Sequence, residues 1–332
     1  MRLSVLDQSP IPWQGTGRDA LRASLALARA ADGLGYHRFW MAEHHGSLAL
    51  ASTSPEVMLG RILGETSRIR VGTGGVMLPH YSPFKVAESF SMLAALGDGR
   101  VDLGLGRAPG SDPLTAFALQ QDRRQRAPHD FPGQLAELIA HFDGSLPADH
   151  PFRHLSARLP GHGATPEIWI LGSSEDSAEL AGALGLPYCI AEFIAGHRPD
   201  LARRYRQCFR PSSRAQEPRL MVTLWCVAAE TQAQAQWLAQ PARMMFARML
   251  AGEAIALPHP DEAGAWLAAH PVPERPGFAP VIGDPAQVME RLEAIERAYA
   301  ADELMLVNIL HDPEARVAGL GLIAERLEAV LA

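Results

Sequence analysis

Glu43, His44 and His45 are the residues of this sequence best suited to proton transfer, and they stand together directly after the apolar run 37–41. Histidine changes protonation near neutral pH and can act as a general acid or base. Adjacent side chains project in different directions, and no HExxH or comparable spacing accompanies them, which argues against a metal site. On these residues alone, a hydrogen-bonded structural cluster is a slightly better interpretation than a catalytic one. A position at the carboxyl end of a barrel strand would make the two about equal.

Glycines and one arginine follow two later apolar runs. Gly74 and Gly75 allow a flat ligand to approach the backbone, although an ordinary strand-end turn explains them as well. The segment 104–110 is no dinucleotide-binding fingerprint, because Pro109 occupies the third glycine position. That segment still offers Arg107, a cation that either binds a phosphate group or joins a surface ion pair.

A serine-rich segment, 171–177, joins another apolar run to a helix. Ser174 suits the N-cap position of that helix, and capping alone accounts for the segment. Serine hydroxyls and the free N–H groups at a helix N-terminus also bind anions. On neighbouring strands, Arg107 and these serines would form a two-sided phosphate site.

Strands and helices alternate along the chain that carries these residues. The apolar pattern predicts eight strands, at 3–6, 37–41, 69–74, 101–105, 167–171, 188–191, 220–227 and 304–307. Helices are predicted at 18–34, 55–65, 83–96, 133–142, 175–184, 197–209, 232–250, 261–269 and from 313 onward. Eight strand–helix units favour an α/β fold, a (β/α)8 TIM barrel with 1–332 as a single domain, over an open doubly wound sheet.

Two long stretches interrupt this alternation, 109–166 after the fourth strand and 228–280 after the seventh. In a barrel, such insertions lie at the carboxyl end of the strands, where active sites are built. We expect them to shape a substrate pocket.

Composition excludes several classes of protein. The formal net charge is −7 and no segment gathers basic residues into a patch, so nucleic acid is not an expected partner. No signal peptide is present, and no apolar run approaches the roughly 20 residues needed to cross a bilayer. Cys189, Cys208 and Cys226 are too far apart for a metal site and indicate free thiols in a reducing compartment. We therefore expect a cytoplasmic protein with no membrane partner.

Several of these segments together resemble the bacterial luciferase-like, flavin-dependent monooxygenases. The matching stretches are FWMAEHH at 39–45, VGTGGVMLP at 71–79, the segment from 87–88 to 97–104, and IGDPAQV at 282–288, a family entry to a late helix. Spaced matches in the right order are more specific than any single motif, and the likeness covers most of the chain.

The resemblance implies a (β/α)8 barrel that binds FMN, reduced by a separate flavin reductase, and uses O2 on a small-molecule substrate. It also implies a homodimer formed through the helices near the second and third strands. His44 matches the active-site histidine that assists the oxygen chemistry of the flavin. Gly74 and Gly75 match a cis peptide beside the flavin ring. The remaining implied cofactor-binding residues are Glu43 and Glu88 near the flavin, and Arg107, Ser173, Ser174 and Ser177 at its phosphate.

The sequence also departs from the luciferases. Gly106 stands where luciferase α chains have a reactive cysteine, and only Phe193 and Trp225 echo the aromatic residues of the aldehyde pocket. A non-luminous monooxygenase therefore fits better than a light-emitting one. The alternatives are an F420-dependent dehydrogenase or reductase of the same fold, a non-catalytic flavin-binding subunit and, least supported, a metal-dependent hydrolase at 43–45.

Overall fold

A computed structural model describes residues 1–107, 112–120, 130–161, 163–272 and 277–331. Pro109 and parts of both predicted insertions lie outside these residues. Within them, the strands are β1 (Leu3–Asp7), β2 (Arg38–Met41), β3 (Arg70–Thr73), β4 (Val76–Met77), β5 (Val101–Gly106), β6 (Glu167–Gly172), β7 (Tyr188–Ala191), β8 (Leu220–Ala228), β9 (Val281–Gly283) and β10 (Glu303–Val307).

Eight of these strands close into a parallel barrel. The order is β1, β2, β3, β5, β6, β7, β8, β10 and back to β1. Leu3 of β1 pairs with Leu304, and Val307 of the same β10 pairs with Trp225 of β8, which completes the ring. The short strands β4 and β9 extend the sheet beside the ends of β5 and β8. The predicted TIM barrel is confirmed.

Helices surround the barrel and begin at clear sequence signals. They are α1 (Gly17–Gly33), α2 (Pro55–Glu65), α3 (Pro83–Leu96), α4 (Pro113–Leu119), α5 (Phe131–Asp143), α6 (Arg153–Ser156), α7 (Glu175–Ala183), α8 (Glu192–Ala195), α9 (Pro199–Cys208), α10 (Gln232–Leu250), α11 (Pro260–Ala269), α12 (Pro285–Tyr299) and α13 (Pro313–Leu331). Asp284, for example, accepts hydrogen bonds from the N–H groups of Ala286 and Gln287, both at 3.0 Å, and Pro285 opens α12. Within the described residues, every helix is too short or too polar to cross a bilayer.

The apolar side chains form two layers because successive strand residues point to opposite faces. Phe39 and Met41 point outward and pack under the helices, whereas Trp40 between them fills the barrel interior. Trp40 and Trp169 meet there edge to face, with ring centroids 5.6 Å apart. The layer inside the barrel continues upward under α10, which lies in the insertion after β8.

Charged side chains close the amino-terminal end of the barrel interior. Arg38 is buried, and its Nη1 donates to Asp102 Oδ2 and Glu167 Oε2, both at 2.8 Å. Its Nε lies 3.1 Å from both carboxylate oxygens of Glu303. We call these four residues the Arg38 cluster. Burial raises the pKa of Glu167, but Arg38 and Arg219 outweigh it and lower the pKa to about 2.

The two insertions lie where they are expected, after the fourth and seventh barrel strands. The first contains α4, α5 and α6, and the second contains α10 and α11 before β9. Cys189 and Cys226 are buried, Cys208 is partly buried, and all three are free thiols, as predicted.

Candidate active site

The candidate site residues follow four neighbouring strands. His44 comes after β2, Gly74 after β3, Arg107 after β5 and Ser173 after β6. These strands are parallel and adjacent in the barrel, so the loops that follow them stand side by side at its carboxyl end. The fold therefore gathers most of the predicted residues at one end of the molecule.

Glu43 joins two of these loops. Its buried carboxylate accepts hydrogen bonds from His45 Nε2 at 2.8 Å, from the Tyr81 hydroxyl at 2.8 Å and from the Met77 N–H at 3.1 Å. Burial and the neighbouring Glu43 raise the pKa of Tyr81, which therefore remains a hydrogen-bond donor. Glu43 and His45 thus form a structural bridge between the loops after β2 and β3.

His44 differs from its neighbours because one ring nitrogen is left over. Part of the residue is exposed, but Nδ1 is fully buried and has no hydrogen-bond partner within the described chain. Burial, followed by the charge of His45, lowers the pKa of His44 to about 4. The ring is therefore neutral near neutral pH, with Nδ1 available to hold or accept a proton.

The Gly74–Gly75 peptide bond is cis. A Cβ atom on Gly75 would lie 2.7 Å from the carbonyl oxygen of Gly104, and a Cβ on Gly104 would overlap the carbonyl of Thr73. These glycines are thus required by the close approach of β3 and β5. Their presence needs no ligand to explain it.

Arg107 lies against the N-terminus of α7. Its Nη1 is 3.6 Å from Asp176 Oδ2, and the Arg107 side chain is 63% exposed. Glu175, the other acidic residue of that first turn, is 3.5 Å from Arg198 Nη2. Each acid at this helix end therefore has an arginine beside it, and Arg107 retains N–H donors that no described residue uses.

The three predicted serines divide into two kinds. Ser177 is engaged in the structure, because its Oγ donates to the Ser174 carbonyl at 2.7 Å, accepts from the Ser174 N–H at 3.3 Å and lies 2.9 Å from the Tyr188 hydroxyl. Ser174 occupies the N-cap position, where its Oγ lies 3.5 Å from Ser177 Oγ in a capping box. The Ser173 hydroxyl has no hydrogen bond within the described residues. Ser173 and Ser174 are better placed than Ser177 to meet a ligand.

Glu88 forms no hydrogen bond or ion pair with this group within the described residues. It lies on α3 and is 41% exposed, with its Oε2 4.0 Å from Lys85 Nζ. Its predicted cofactor contact stays a prediction. Tyr81 and Arg198, in contrast, support the site and were not predicted, since their only sequence signal is a polar residue in a strand-to-helix connection. Across the described part of the chain, no three His, Cys, Asp or Glu residues are arranged to hold a metal ion.

A sequence model of the luciferase-like monooxygenases matches residues 1–302. The chain belongs to this family. It is 37% identical over 336 residues to a luciferase-like monooxygenase of Escherichia coli (strain K12), with 99% of this chain and 97% of that protein covered. It is 42% identical over 209 residues to the N-acetyl-S-alkylcysteine monooxygenase of Bacillus subtilis (strain 168), with 63% and 62% covered.

Solved structures share the fold of this chain. The crystal structure of apo-MsnO8 matches with a TM-score of 0.88 and 38% identity, covering 98% of both chains. Two structures share the fold alone. One is the FMN complex of the oxygenating constituent of 3,6-diketocamphane monooxygenase from Pseudomonas putida, with a TM-score of 0.70, 19% identity and 98% and 97% coverage. The other is an F420-dependent secondary alcohol dehydrogenase with an F420–acetone adduct, with a TM-score of 0.65, 15% identity and 99% and 98% coverage.

Proposed function

We propose that this protein is the oxygenase component of a two-component, FMN-dependent monooxygenase. Reduced FMN comes from a separate flavin reductase, and O2 and a small organic molecule are the co-substrates. The observation that carries the proposal is Arg107 beside the N-terminus of α7, at the same end of the barrel as His44. Membership of the luciferase-like monooxygenase family supports the reaction class.

The residues present fit a flavin phosphate. Arg107 has unused N–H donors, and the N-terminus of α7 adds backbone N–H groups and the Ser173 and Ser174 hydroxyls. Arginine binds phosphate through two parallel hydrogen bonds, which a partner as weakly held as Asp176, at 3.6 Å, does not prevent. Arg198 lies 3.5 Å from Glu175 and offsets part of the negative charge of the first turn.

The unpaired Nδ1 of His44 fits proton transfer to or from the reacting oxygen. A bound reduced flavin supplies the electrons that activate O2, chemistry that protein side chains do not provide. His44 is neutral near neutral pH, and its Nδ1 can hold a proton for the reacting oxygen or accept one from it. Glu43 ties the loop that carries this histidine to the loop after β3 through its bonds to the His45 ring and the Met77 N–H.

The apolar barrel interior beneath the site keeps water away from the reaction. Trp40, Trp169 and Met305 fill the barrel interior above the Arg38 cluster and are almost fully buried. A site sealed from below allows oxygen transfer to compete with unproductive release of peroxide.

A homodimer through α2 and α3 accompanies this proposal. Val57 of α2 is 70% exposed, and Met92 and Leu96 of α3 are 54% and 70% exposed. Neighbouring exposed apolar side chains mark interaction surfaces. Light scattering tests the dimer, and we expect a mass in solution of twice the mass of one chain.

Anaerobic titration of the purified protein with reduced FMN and with reduced riboflavin tests the function. Riboflavin lacks the phosphate, so we expect FMN to bind about tenfold or more tightly, the effect of one charge-assisted pair. Arg107→Met should remove that preference. Arg204→Met, at an exposed arginine paired with Glu179, should retain it.

Other results would assign other functions. Tighter binding of F420 than of FMN would indicate hydride transfer. Flavin binding with no O2-dependent product, when a reductase and a broad set of substrates are supplied, would indicate a non-catalytic subunit. An equal affinity for FMN and riboflavin would remove Arg107 from the site.

A further inference from the structure

Trp225 presents an unused hydrogen-bond donor in an aromatic setting. It lies on β8 and is 3% exposed, and its ring contacts Phe246 of α10 and Phe278, with centroids 5.7 and 6.3 Å away. Its Nε1 is fully buried and has no partner within the described residues. Buried N–H groups are nearly always paired, because an unpaired one is costly. The Trp225 N–H therefore needs a hydrogen-bond acceptor, and the described chain does not supply one.

Arg243 stands one helical turn before Phe246 on α10. Residues three apart on a helix are neighbours on its surface, so the Arg243 side chain leaves the helix next to Phe246, whose ring contacts Trp225. Arg243 is partly buried, and within the described chain it has neither an ion pair nor a hydrogen bond. Burial lowers the pKa of Arg243, and no carboxylate acts in the other direction.

Another arginine of the same helix shows how unusual this is. Arg248, five residues further along α10, forms an ion pair with Glu253 and lies over the Trp266 ring, 5.7 Å from its centroid. A partly buried cation without a counterion is unfavourable for the folded protein. The partner of Arg243 is therefore expected to be an anion that the described part of the chain does not supply.

We propose that Arg243 and Trp225 form a subsite for the acid group of the substrate, which is an apolar organic carboxylic acid. Arg243 binds the carboxylate, and the Trp225 N–H donates to an oxygen of the same molecule. Phe246 and Phe278 contact its apolar part. This inference rests on the proposed function, since it names the substrate class of that site, and it involves none of the residues assigned to the flavin.

Calorimetric titration without flavin tests the subsite. The probes are phenylacetate and hexanoate, each compared with the alcohol of the same carbon chain. We expect the wild-type protein to bind each acid about 10 to 100 times more tightly than its alcohol, the range of a charge-assisted hydrogen bond. Arg243→Met should abolish this ratio, whereas Arg248→Met should leave it unchanged.

One further variant, and the melting temperature of Arg243→Met, separate binding from folding. Trp225→Phe retains an aromatic ring but removes the N–H together with part of the indole, so it is judged by the acid-to-alcohol ratio. The smaller ring affects both probes alike, and loss of the N–H should lower that ratio several-fold. Arg243→Met should melt at or above the wild-type temperature, because an unpaired buried charge is removed. Absence of an acid preference in the wild-type protein, or the same preference in Arg243→Met, would overturn the subsite. Neither result bears on the FMN and riboflavin titration, whose failure would in turn leave the acid preference intact.

Discussion

The two ends of the barrel treat buried polar groups in opposite ways. At the amino-terminal end, Arg38 contacts three carboxylates, and each of its ionised partners is satisfied. At the carboxyl end, His44 Nδ1 and Trp225 Nε1 are buried without partners in the described chain. Complete pairing favours a single rigid arrangement, whereas unpaired polar groups favour a ligand that supplies the missing hydrogen bonds. We infer that the amino-terminal end stabilises the fold, and we propose that the carboxyl end binds ligands.

Removal of Arg38 is expected to have the largest effect on this comparison. Arg38→Met leaves the buried Glu303 without its arginine, while Asp102 keeps its ion pair with Arg70, and should lower the free energy of unfolding by about 3–5 kcal/mol. Urea denaturation measures the change. Arg204→Met at the exposed pair with Glu179 is the control and should lose less than about 1 kcal/mol. Equal losses in the two variants would contradict a structural role for the amino-terminal end.

A decrease in pH should destabilise the carboxyl end of the barrel through His44. The unfolded chain protonates His44 near its ordinary pKa of 6.5, while the folded protein resists protonation down to about 4, so stability falls as pH decreases between these values. The loss amounts to at most about 3 kcal/mol. Glu167 in the Arg38 cluster keeps its charge over this range, because its pKa is about 2.

His44→Asn should remove that part of the acid sensitivity. Relative to the wild-type protein, the variant should gain about 2 kcal/mol in unfolding free energy at about pH 4.5 and little near pH 7. Urea denaturation at the two pH values measures both. His154→Asn, at an exposed histidine, should follow the wild-type profile. If the unfolding free energy of His44→Asn fell with decreasing pH as much as that of the wild-type protein, the buried ring would not resist protonation.

The smallest effect concerns the bridge between the loops. Tyr81→Phe removes one of three donors to the Glu43 carboxylate and should destabilise the protein by about 2 kcal/mol. Tyr36→Phe is the matched control, because its hydroxyl donates to the neutral Leu320 carbonyl at 3.0 Å, and it should lose about 1 kcal/mol. Denaturation midpoints decide between them, and a larger loss in Tyr36→Phe would contradict the role given to Glu43.

The barrel could be predicted because its strands carry a strong local signal. Apolar runs bounded by helical stretches place all eight barrel strands within about two residues of their observed bounds. The prediction for 69–74 starts one residue before β3 and ends one residue after it, since β3 spans Arg70–Thr73. The strands β4 and β9 were not predicted, because two or three residues are too short to show a period.

The site could be predicted only where it follows directly from strand ends. Arg107 and the serines stand next to predicted strands, so a parallel barrel places them together. The Arg38 cluster and Tyr81 depend on partners far away in sequence: Arg38 and Glu303 are 265 residues apart. Arg243 lies in a helix whose pattern shows only amphipathicity, and no local signal reveals a missing counterion. The functional roles of these residues stay predictions until the variants are measured.

Closure of the barrel has a consequence for how the chain is made. Leu3 pairs with Leu304, so almost the entire polypeptide must leave the ribosome before β1 gains its second neighbour. Until then β1 presents an open strand edge, and Arg38 lacks the Glu303 carboxylate. Long-range pairing of this kind is slow to form. A nascent chain of this protein therefore needs protection from other unfinished chains for nearly the whole of its synthesis.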